Sequence, residues 1–514
     1  MVIKILLLVV FFAGMVAVGI SARRHAVSVS GFVLGGRSVG PWLTAFAYGT
    51  SYFSAVVFVG YAGQFGWKYG LASTWIGLGN AAIGSLLAWV MLGRRTRIMT
   101  QHLGSSTMPD FFEKRFDSKP LKITASVIIF IFLIPYTASI YNGLSRLFEM
   151  AFNIPYAVCV VVMAAFTAVY VILGGYMATA ISDFIQGIIM LFGIVVVVAA
   201  VLSGQGGFMN AVYELAQLPS DAAPTLGQPG AFTAFFGPDP VNLLGVVILT
   251  SLGTWGLPQM IQKFYAIRNE KAVRTGTVIS TVFAVIVSGG CYFLGGFSRL
   301  FDDPAIYGAD GAVVYDSIIP FMLSKLPDIL IGIVVVLVLS ASMSTLSSLV
   351  LTSSSTLTLD LIKGNLWKNM REESQIRTMR VLIAVFVAVS VLLAINPPDF
   401  IAQLMGISWG ALAGAFLAPF LYGIYWKQVT RAAVWASFAC GVGLTVGNLF
   451  FHFIDSAINA GAAAMVLGLV VVPVVSLITP RQPDKRLQEI FSCYEEKTVL
   501  HKKMVVGTEK DNAE

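Results

Sequence analysis

Apolar runs long enough to cross a lipid bilayer recur along the whole chain. A membrane-spanning helix needs about 20 apolar residues, and that length predicts about thirteen spans here. They lie at 3–21, 42–62, 71–93, 123–148, 155–174, 180–202, 241–261, 276–298, 328–358, 378–396, 400–425, 431–452 and 461–479. Charged residues make up 11% of the chain and apolar residues 57%, which leaves too few charges for a water-facing surface. The sequence therefore predicts an all-α integral membrane protein and argues against a soluble enzyme.

Basic residues cluster in alternate connections between these spans. With the N-terminus outside, most of the 33 Lys and Arg residues fall on the cytoplasmic side, Lys263 and the segment after residue 480 among them. Segments 203–240 and 299–327 are acidic and nearly free of basic residues. Because Lys and Arg are retained on the cytoplasmic side, we expect the N-terminus outside, the C-terminus inside, and a location in the plasma (inner) membrane.

The first span has the basic and apolar segments of a signal peptide. It is longer than such segments usually are, and Arg23 and Arg24 follow it directly, so we expect an uncleaved helix rather than a leader. Residues 1–480 are then a single transmembrane domain, and 481–514 a short cytoplasmic tail. The basic charge suits anionic lipid. Because that charge follows the membrane topology, we expect no nucleic-acid partner. The sequence has no metal cluster, phosphate loop or nucleophile motif, so we expect no cofactor, and an obligate protein partner is not indicated.

Two of the predicted spans contain helix-breaking residues at their centres. Gly49 lies among hydroxyl residues in 44–54, and two glycines with Pro258 interrupt 250–259, five spans later. Freed backbone carbonyls are tolerated in a membrane only where another group satisfies them. Paired broken helices in two halves are typical of secondary transporters. For either segment alone, packing of small residues is the alternative.

A ladder of hydroxyl residues runs through the ninth span, at 340–348. Ser344, Ser347 and Ser348 share one face of a helix, with Thr345 beside them. Neutral hydroxyl oxygens can replace the water around Na⁺ and still allow its release. The alternative interpretation is a packing seam of small residues.

Two charged residues near membrane helices have open interpretations. Asp183, at the inner end of the sixth span, is either a sodium ligand or proton carrier, or the N-terminal cap of its helix. Arg146, near the outer end of the fourth span, either captures a carboxylate or extends to the interface beside Glu149.

Taken in order, several motifs resemble the sodium:solute symporter family over nearly the whole chain. The matching segments are 34–38, 49–54, 181–186, 343–347 and 409–426. The resemblance implies a LeuT-like core of two inverted five-helix repeats, at about 42–202 and 241–425, with one helix before and two after.

The resemblance also implies ion sites. Residues that match the principal sodium site are Thr50, Phe53 and Ala341 through their carbonyls, and Ser344 and Thr345 through their hydroxyls. Residues that match a second sodium site of some members are Asp183, Ser344, Ser347 and Ser348.

For the solute, the nearest branches are the proline and pantothenate symporters. The proline branch has an acidic residue where this chain has Tyr52, and Trp and Tyr where it has Thr250 and Thr254. Tyr52 followed by Ser54 is similar to the pantothenate branch. Residues expected to line the solute site are Ser51, Tyr52, Ser54, Tyr136, Thr254, Trp255 and Gln259.

The predicted function is Na⁺-coupled uptake of a small polar solute, such as a proline-like amino acid or a carboxylate like pantothenate. Two alternatives stay open. One is a solute sensor without net transport, and the other is proton-coupled symport with Asp183 as the carrier.

Overall fold

The computed structural model describes residues 2–22, 27–222, 225–367, 369–396 and 401–494 of the chain. Within these ranges the protein is helical, and β-type pairing is limited to isolated single-residue bridges. In chain order the helices are α1 (Val2–Ala22), α2 (Val29–Leu34), α3 (Pro41–Tyr52), α4 (Ala62–Tyr69), α5 (74–102), α6 (Met108–Phe116), α7 (Lys119–Phe152), α8 (Tyr156–Gly204), α9 (Phe208–Gln217), α10 (Pro240–Gly253), α11 (Pro258–Ala266), α12 (Glu270–Gly295), α13 (Tyr315–Ser324), α14 (Asp328–Thr356), α15 (Glu372–Ile395), α16 (Ile401–Tyr425), α17 (Arg431–Phe451), α18 (Ala457–Ile478) and α19 (484–494).

Eleven helical stretches of the described residues are long and apolar enough to cross a bilayer. Two places account for the difference from thirteen. The stretch Val56–His102 counts as one of the eleven although it includes parts of two predicted spans and is interrupted at Gly70 (φ 59°, ψ −139°), while Tyr156–Val169 is shorter than a full crossing. The all-α membrane architecture is confirmed, whereas the count of thirteen and the orientation of the termini stay predictions.

Helix α8 contains two predicted spans, and it breaks between them at Gly175. This residue has φ 55° and ψ −150°, a conformation that is essentially restricted to glycine. A Cβ atom there would lie 2.8 Å from the ring of Phe32. Glycine is therefore required both by the backbone and by the close approach of α2.

The long span predicted at 328–358 does continue as helix past its membrane length. Helix α14 ends at Thr356, and π-type turns carry the helical path on through Leu357–Leu366. Helices α14 and α16 are the most enclosed of the apolar stretches. Helix α14 packs against α3, α7 and α8, so it lies at the centre of the bundle.

The predicted tail begins with an ordered element. Helix α19 buries Ile490 and Phe491, and the hydroxyl of Tyr494 lies 3.2 Å from the carbonyl oxygen of Arg95, to which it donates a hydrogen bond. The remainder of the tail, 495–514, lies outside the described residues.

Candidate functional site

Both predicted helix breaks are present. Helix α3 ends at Tyr52, Phe53 is extended (φ −102°, ψ 106°), and the helical path resumes with π-type turns that lead into α4. Helix α10 ends at Gly253, and α11 begins at Pro258 after an extended Leu257. We call α3 with α4 the first broken helix, and α10 with α11 the second broken helix.

Oxygen atoms of α3 and α14 converge at the first break. The hydroxyl of Ser344 donates to the carbonyls of Thr50 (3.0 Å) and Ala341 (2.9 Å). The hydroxyl of Thr345 donates to the same two carbonyls, each at 3.1 Å. Four of the five oxygens that match the principal sodium site are thus in mutual contact. Phe53, the fifth residue, lies at the break itself.

This cluster follows from the way α3 ends. Thr50 lies in its last turn, where carbonyl groups lose their partner one turn ahead. Ser344 and Thr345 are both fully buried. Each hydroxyl has a single proton for two carbonyl acceptors, so the cluster holds more oxygen acceptors than donors. Such a set of neutral oxygens suits a small hard cation.

The carboxylate of Asp183 lies far from any helix start. It is fully buried, eight residues beyond the break at Gly175 and inside α8. The interpretation as an N-terminal cap is therefore wrong, because the break that starts this part of α8 precedes it by two turns. Gln186, one turn on, is buried as well.

Lys263 lies in a buried position that the sequence does not predict. It was expected in a cytoplasmic cluster of basic residues, but its side chain is 2% exposed and its ammonium lies 3.8 Å from Asp183 Oδ2. It also donates a hydrogen bond of 2.9 Å to Ser348 Oγ. The expectation was wrong because α11 extends through Ala266 and carries Lys263 into contact with α8 and α14.

The remaining members of the hydroxyl ladder have different partners. Ser347 donates to the carbonyl of Ser344 within α14 at 2.8 Å. Ser348 Oγ, by contrast, reaches across to α3 and lies 2.8 Å from Ser51 Oγ. Ser51, one of the residues expected at the solute site, is therefore bonded within the protein.

Three aromatic rings meet beside the first break. The ring of Tyr52 stacks on Trp409 of α16 with 5.7 Å between centroids. Tyr136 of α7 meets Trp409 edge-on at 5.8 Å. The hydroxyl of Tyr52 donates to the carbonyl of Thr250, which connects the two broken helices. Trp409 was not among the predicted solute residues, since an aromatic residue in an apolar run has no distinctive pattern.

Three other residues predicted at the solute site have their polar atoms engaged by the protein. Thr254 Oγ1 donates to the carbonyl of Gly84 at 3.0 Å, and Trp255 Nε1 donates to that of Ile83 at 3.0 Å. Ser54 Oγ accepts a hydrogen bond of 3.2 Å from the backbone N–H of Val56. These hydrogen bonds hold the two helix breaks in position.

The side chain of Gln259 differs from these three. It is fully buried in the first turn of α11, and neither its amide nitrogen nor its oxygen has a hydrogen-bond partner among the described residues. Buried amides without partners are uncommon and call for an explanation. A bound polar solute would supply the missing partners.

The contacts of Arg146 agree with the second of its two interpretations, extension to the membrane interface beside Glu149. Its guanidinium lies 3.6 Å from Glu149, and both side chains are about two-fifths exposed. The cation also covers the ring of Tyr156 at 5.0 Å. These contacts are those of a residue at the edge of a membrane helix rather than of a ligand-binding group.

Backbone bonds close one end of the first broken helix. The N–H of Val39 donates to the carbonyl of Ala266 (3.2 Å), and that of Arg268 donates to the carbonyl of Val39 (3.0 Å). The guanidinium of Arg37 donates to the carbonyls of Ser105 and Tyr265. The segment that leads into α3 is thereby bonded to the end of α11.

A cavity of about 570 Å³ lies at the other end of the first broken helix, beside α4. Polar and charged residues line it, among them Gln64, Lys68, Asp239 and Arg299. The described chain therefore has a polar vestibule at one end of the site and a bonded closure at the other.

The sequence model of the sodium:solute symporter family matches residues 32–441. The chain belongs to the sodium:solute symporter family. Among relatives of known function, the osmoregulated proline transporter OpuE of Bacillus subtilis is 28% identical over 496 residues, 95% of this chain and 96% of its own length. The sodium/proline symporter of Salmonella typhimurium is 26% identical over 494 residues, 94% of each chain.

Solved structures of transporters have the same fold. A Na⁺-coupled sialic acid symporter in a substrate-bound outward-open state matches with a TM-score of 0.76 and 17% identity, over 93% of this chain and 98% of that one. A nucleobase-cation-symport-1 family transporter in a closed conformation matches with a TM-score of 0.51 and 13% identity, over 89% and 97%. The LeuT-like fold expected of this sodium:solute symporter is confirmed, and so is its nature as a multi-pass membrane transporter rather than an enzyme.

Proposed function

We propose that this symporter uses the sodium gradient to drive uptake of a small polar solute of the proline-like class. The observation that carries the proposal is the convergence of four neutral oxygens where α3 breaks beside α14. Relatives that match nearly its full length are proline transporters, which supports an amino acid of that class as the cargo.

The proposed sodium ligands are the carbonyls of Thr50, Phe53 and Ala341 with the hydroxyls of Ser344 and Thr345. A bound Na⁺ would take the place of the hydroxyl protons as the partner of the Thr50 and Ala341 carbonyls. Neutral oxygen ligands hold the ion without a full charge, so it can leave on the inner side.

Sodium at this position would brace the first broken helix against α14. The solute site lies directly beside it, because Tyr52 and Phe53 follow Thr50 in the chain. An ion and a solute that both favour one arrangement of these helices increase each other's affinity, and this linkage is reciprocal.

The proposed solute site consists of the rings of Tyr52, Tyr136 and Trp409 and the amide of Gln259. Aromatic faces suit the apolar body of a small solute, and an unpaired amide can both donate to and accept from its polar groups. Since Tyr52, Thr250 and Thr254 differ from the proline branch, we propose a proline-like solute rather than proline itself.

The vestibule and the closure support a transport cycle in which Na⁺ and solute enter the site from outside. With the N-terminus outside, the polar vestibule faces the exterior, and the bonds of Arg37 and Val39 close the cytoplasmic side. Inward movement of one Na⁺ then gains about 2.3 kcal/mol per 100 mV of membrane potential.

Uptake into proteoliposomes tests the proposal. A Na⁺ gradient is expected to drive accumulation of a proline-like amino acid, and replacement of Na⁺ by choline at fixed pH is expected to abolish it. Equal uptake in choline, or uptake driven by a proton gradient alone, would contradict sodium coupling. Sodium-dependent solute binding without accumulation would instead favour the sensor.

The cargo itself is identified by thermal stability. Purified protein is heated with amino acids, monocarboxylates, pantothenate or sugars, with and without Na⁺. A ligand that binds only the folded state raises the melting temperature. We expect the strongest stabilisation from a proline-like amino acid, and only when Na⁺ is present.

A further inference from the structure

A cationic side chain is enclosed beside the proposed sodium site. The side chain of Lys263 is 2% exposed, and its ammonium lies 3.8 Å from Oδ2 of Asp183, whose side chain is fully buried. The same nitrogen donates a 2.9 Å hydrogen bond to Ser348 Oγ and lies 5.2 Å from the ring centroid of Tyr176. Residues from α8, α11 and α14 thus surround one positive charge.

Two hydroxyl groups connect this ammonium to the first break. Ser348 Oγ accepts the bond from Lys263, so its own proton is available for Ser51 Oγ at 2.8 Å. Ser51 directly follows Thr50, whose carbonyl is one of the proposed sodium ligands. The ammonium is therefore two hydroxyl contacts away from the residue that begins the sodium site.

The ammonium contacts two of the residues that match a second sodium site, Asp183 and Ser348. A Na⁺ ion bound between them would stand next to Lys263 in a part of the protein where solvent screens charges poorly. One buried carboxylate neutralises one cation, and an unbalanced buried charge is strongly unfavourable. Lys263 and a second Na⁺ therefore compete for the same carboxylate.

We propose that the ammonium of Lys263 is the resident cation of the second site, and that the symporter consequently carries one Na⁺ per solute. This inference rests on the proposed function and adds its ion stoichiometry. The transported ion is then the one held at the principal site by Thr50, Phe53, Ala341, Ser344 and Thr345. Lys263 acts as a positioning residue that joins α11 to α8 and α14.

Equilibrium binding of radioactive Na⁺ to the purified full-length protein counts the ions. The wild type is expected to bind one Na⁺ per chain, and Ser344→Ala/Thr345→Ala is expected to abolish that binding. Lys263→Ala is expected to bind two, because Asp183 then has no cation. The Hill coefficient of sodium-activated uptake should rise from about 1 towards 2 in this variant.

Two further variants test whether the charge of Lys263, rather than the shape of its side chain, sets the number of bound Na⁺ ions. Lys263→Arg keeps the positive charge, and Asp183→Asn/Lys263→Met removes both charges together, so each is expected to bind one Na⁺. If Lys263→Ala does not fold, one ion in both the wild type and the double variant supports the inference.

The contradicting results are distinct. Two Na⁺ ions bound by the wild type would overturn the inference and leave sodium coupling intact, as would a folded Lys263→Ala that still binds one. A wild type that binds no Na⁺ would contradict the proposed function and the inference with it.

Discussion

The hydroxyl of Thr345 donates a 3.1 Å hydrogen bond to the carbonyl of Thr50, a residue 295 positions earlier in the chain. Ser344 donates to the same carbonyl at 3.0 Å. The carbonyl is available to both because α3 ends two residues later and no following turn can bond it. This contact is where the two repeats share the proposed sodium site.

Removal of both hydroxyls should abolish sodium-stimulated uptake. Ser344→Ala/Thr345→Ala deletes two of the proposed ligands and removes both hydroxyl donors of the Thr50 carbonyl, at about 1–3 kcal/mol for a buried acceptor left without a partner. We expect uptake in Na⁺ to fall to the level measured in choline, in proteoliposomes at matched protein content.

A matched control exists for this pair. Ser390 and Thr445 are buried hydroxyl residues that bond only to their own helices, at 2.9 and 2.8 Å. Ser390→Ala/Thr445→Ala should leave the sodium dependence unchanged. An equal loss in the control pair would show that the hydroxyls of Ser344 and Thr345 have no special function.

Gln259→Leu should separate solute binding from stability. Since the amide has no partner among the described residues, its removal takes away an unsatisfied buried group and should not lower the melting temperature of the solute-free protein. The solute-induced increase in melting temperature should shrink strongly. Loss of stability without solute would mean that Gln259 is a structural residue instead.

Trp409→Ala should weaken solute binding more than Trp409→Phe. The indole contacts the rings of both Tyr52 and Tyr136, and such aromatic contacts contribute about 0.5–1.5 kcal/mol each. We expect roughly a tenfold rise in the KM of Trp409→Ala for the solute, with partial recovery in Trp409→Phe. Sodium binding without solute is the internal control; if it falls in parallel, the solute site has been misassigned.

Gly175→Ala should destabilise the protein through α8. A residue with a Cβ cannot adopt φ 55° and ψ −150° without a cost of about 1–3 kcal/mol, and the added atom would also meet Phe32. We expect a lower melting temperature in detergent. Gly443→Ala, where a Cβ meets nothing within 4 Å, should be neutral or slightly stabilising because alanine favours the helix; equal melting temperatures for the two variants would contradict this account.

Much of the fold could be predicted because its signals are local. Apolar runs give membrane helices by their length, and glycine or proline among hydroxyl residues marks the two breaks, although Pro135, Pro419 and Pro473 lie inside unbroken helices. The hydroxyl face of α14 follows in the same way from the helical period. Spans near breaks were harder to delimit, since helical turns follow one another along 56–102 with an interruption only at Gly70.

The candidate site was predictable only in part. A lysine at the end of an apolar segment matches the pattern of a cytoplasmic basic residue. That pattern depends on how many basic residues a segment has, and it does not show which way each side chain points. The segment around Trp409 has the apolar composition of any membrane helix, so nothing in it marks Trp409 as a binding residue. Their functions depend on which residues of distant helices face them.

The sequence by itself determined that this chain spans a membrane, where its helices break and which residues carry oxygen near the breaks. Only the tertiary structure decided that Lys263 is enclosed with Asp183, that Trp409 contacts Tyr52 and Tyr136, and that Gln259 has no hydrogen-bond partner among the described residues. The physical reason is that periodicity and chain breaks depend on neighbours within a few residues. The partner of a buried charge or amide depends on helices that are far apart in the chain and meet only when it folds.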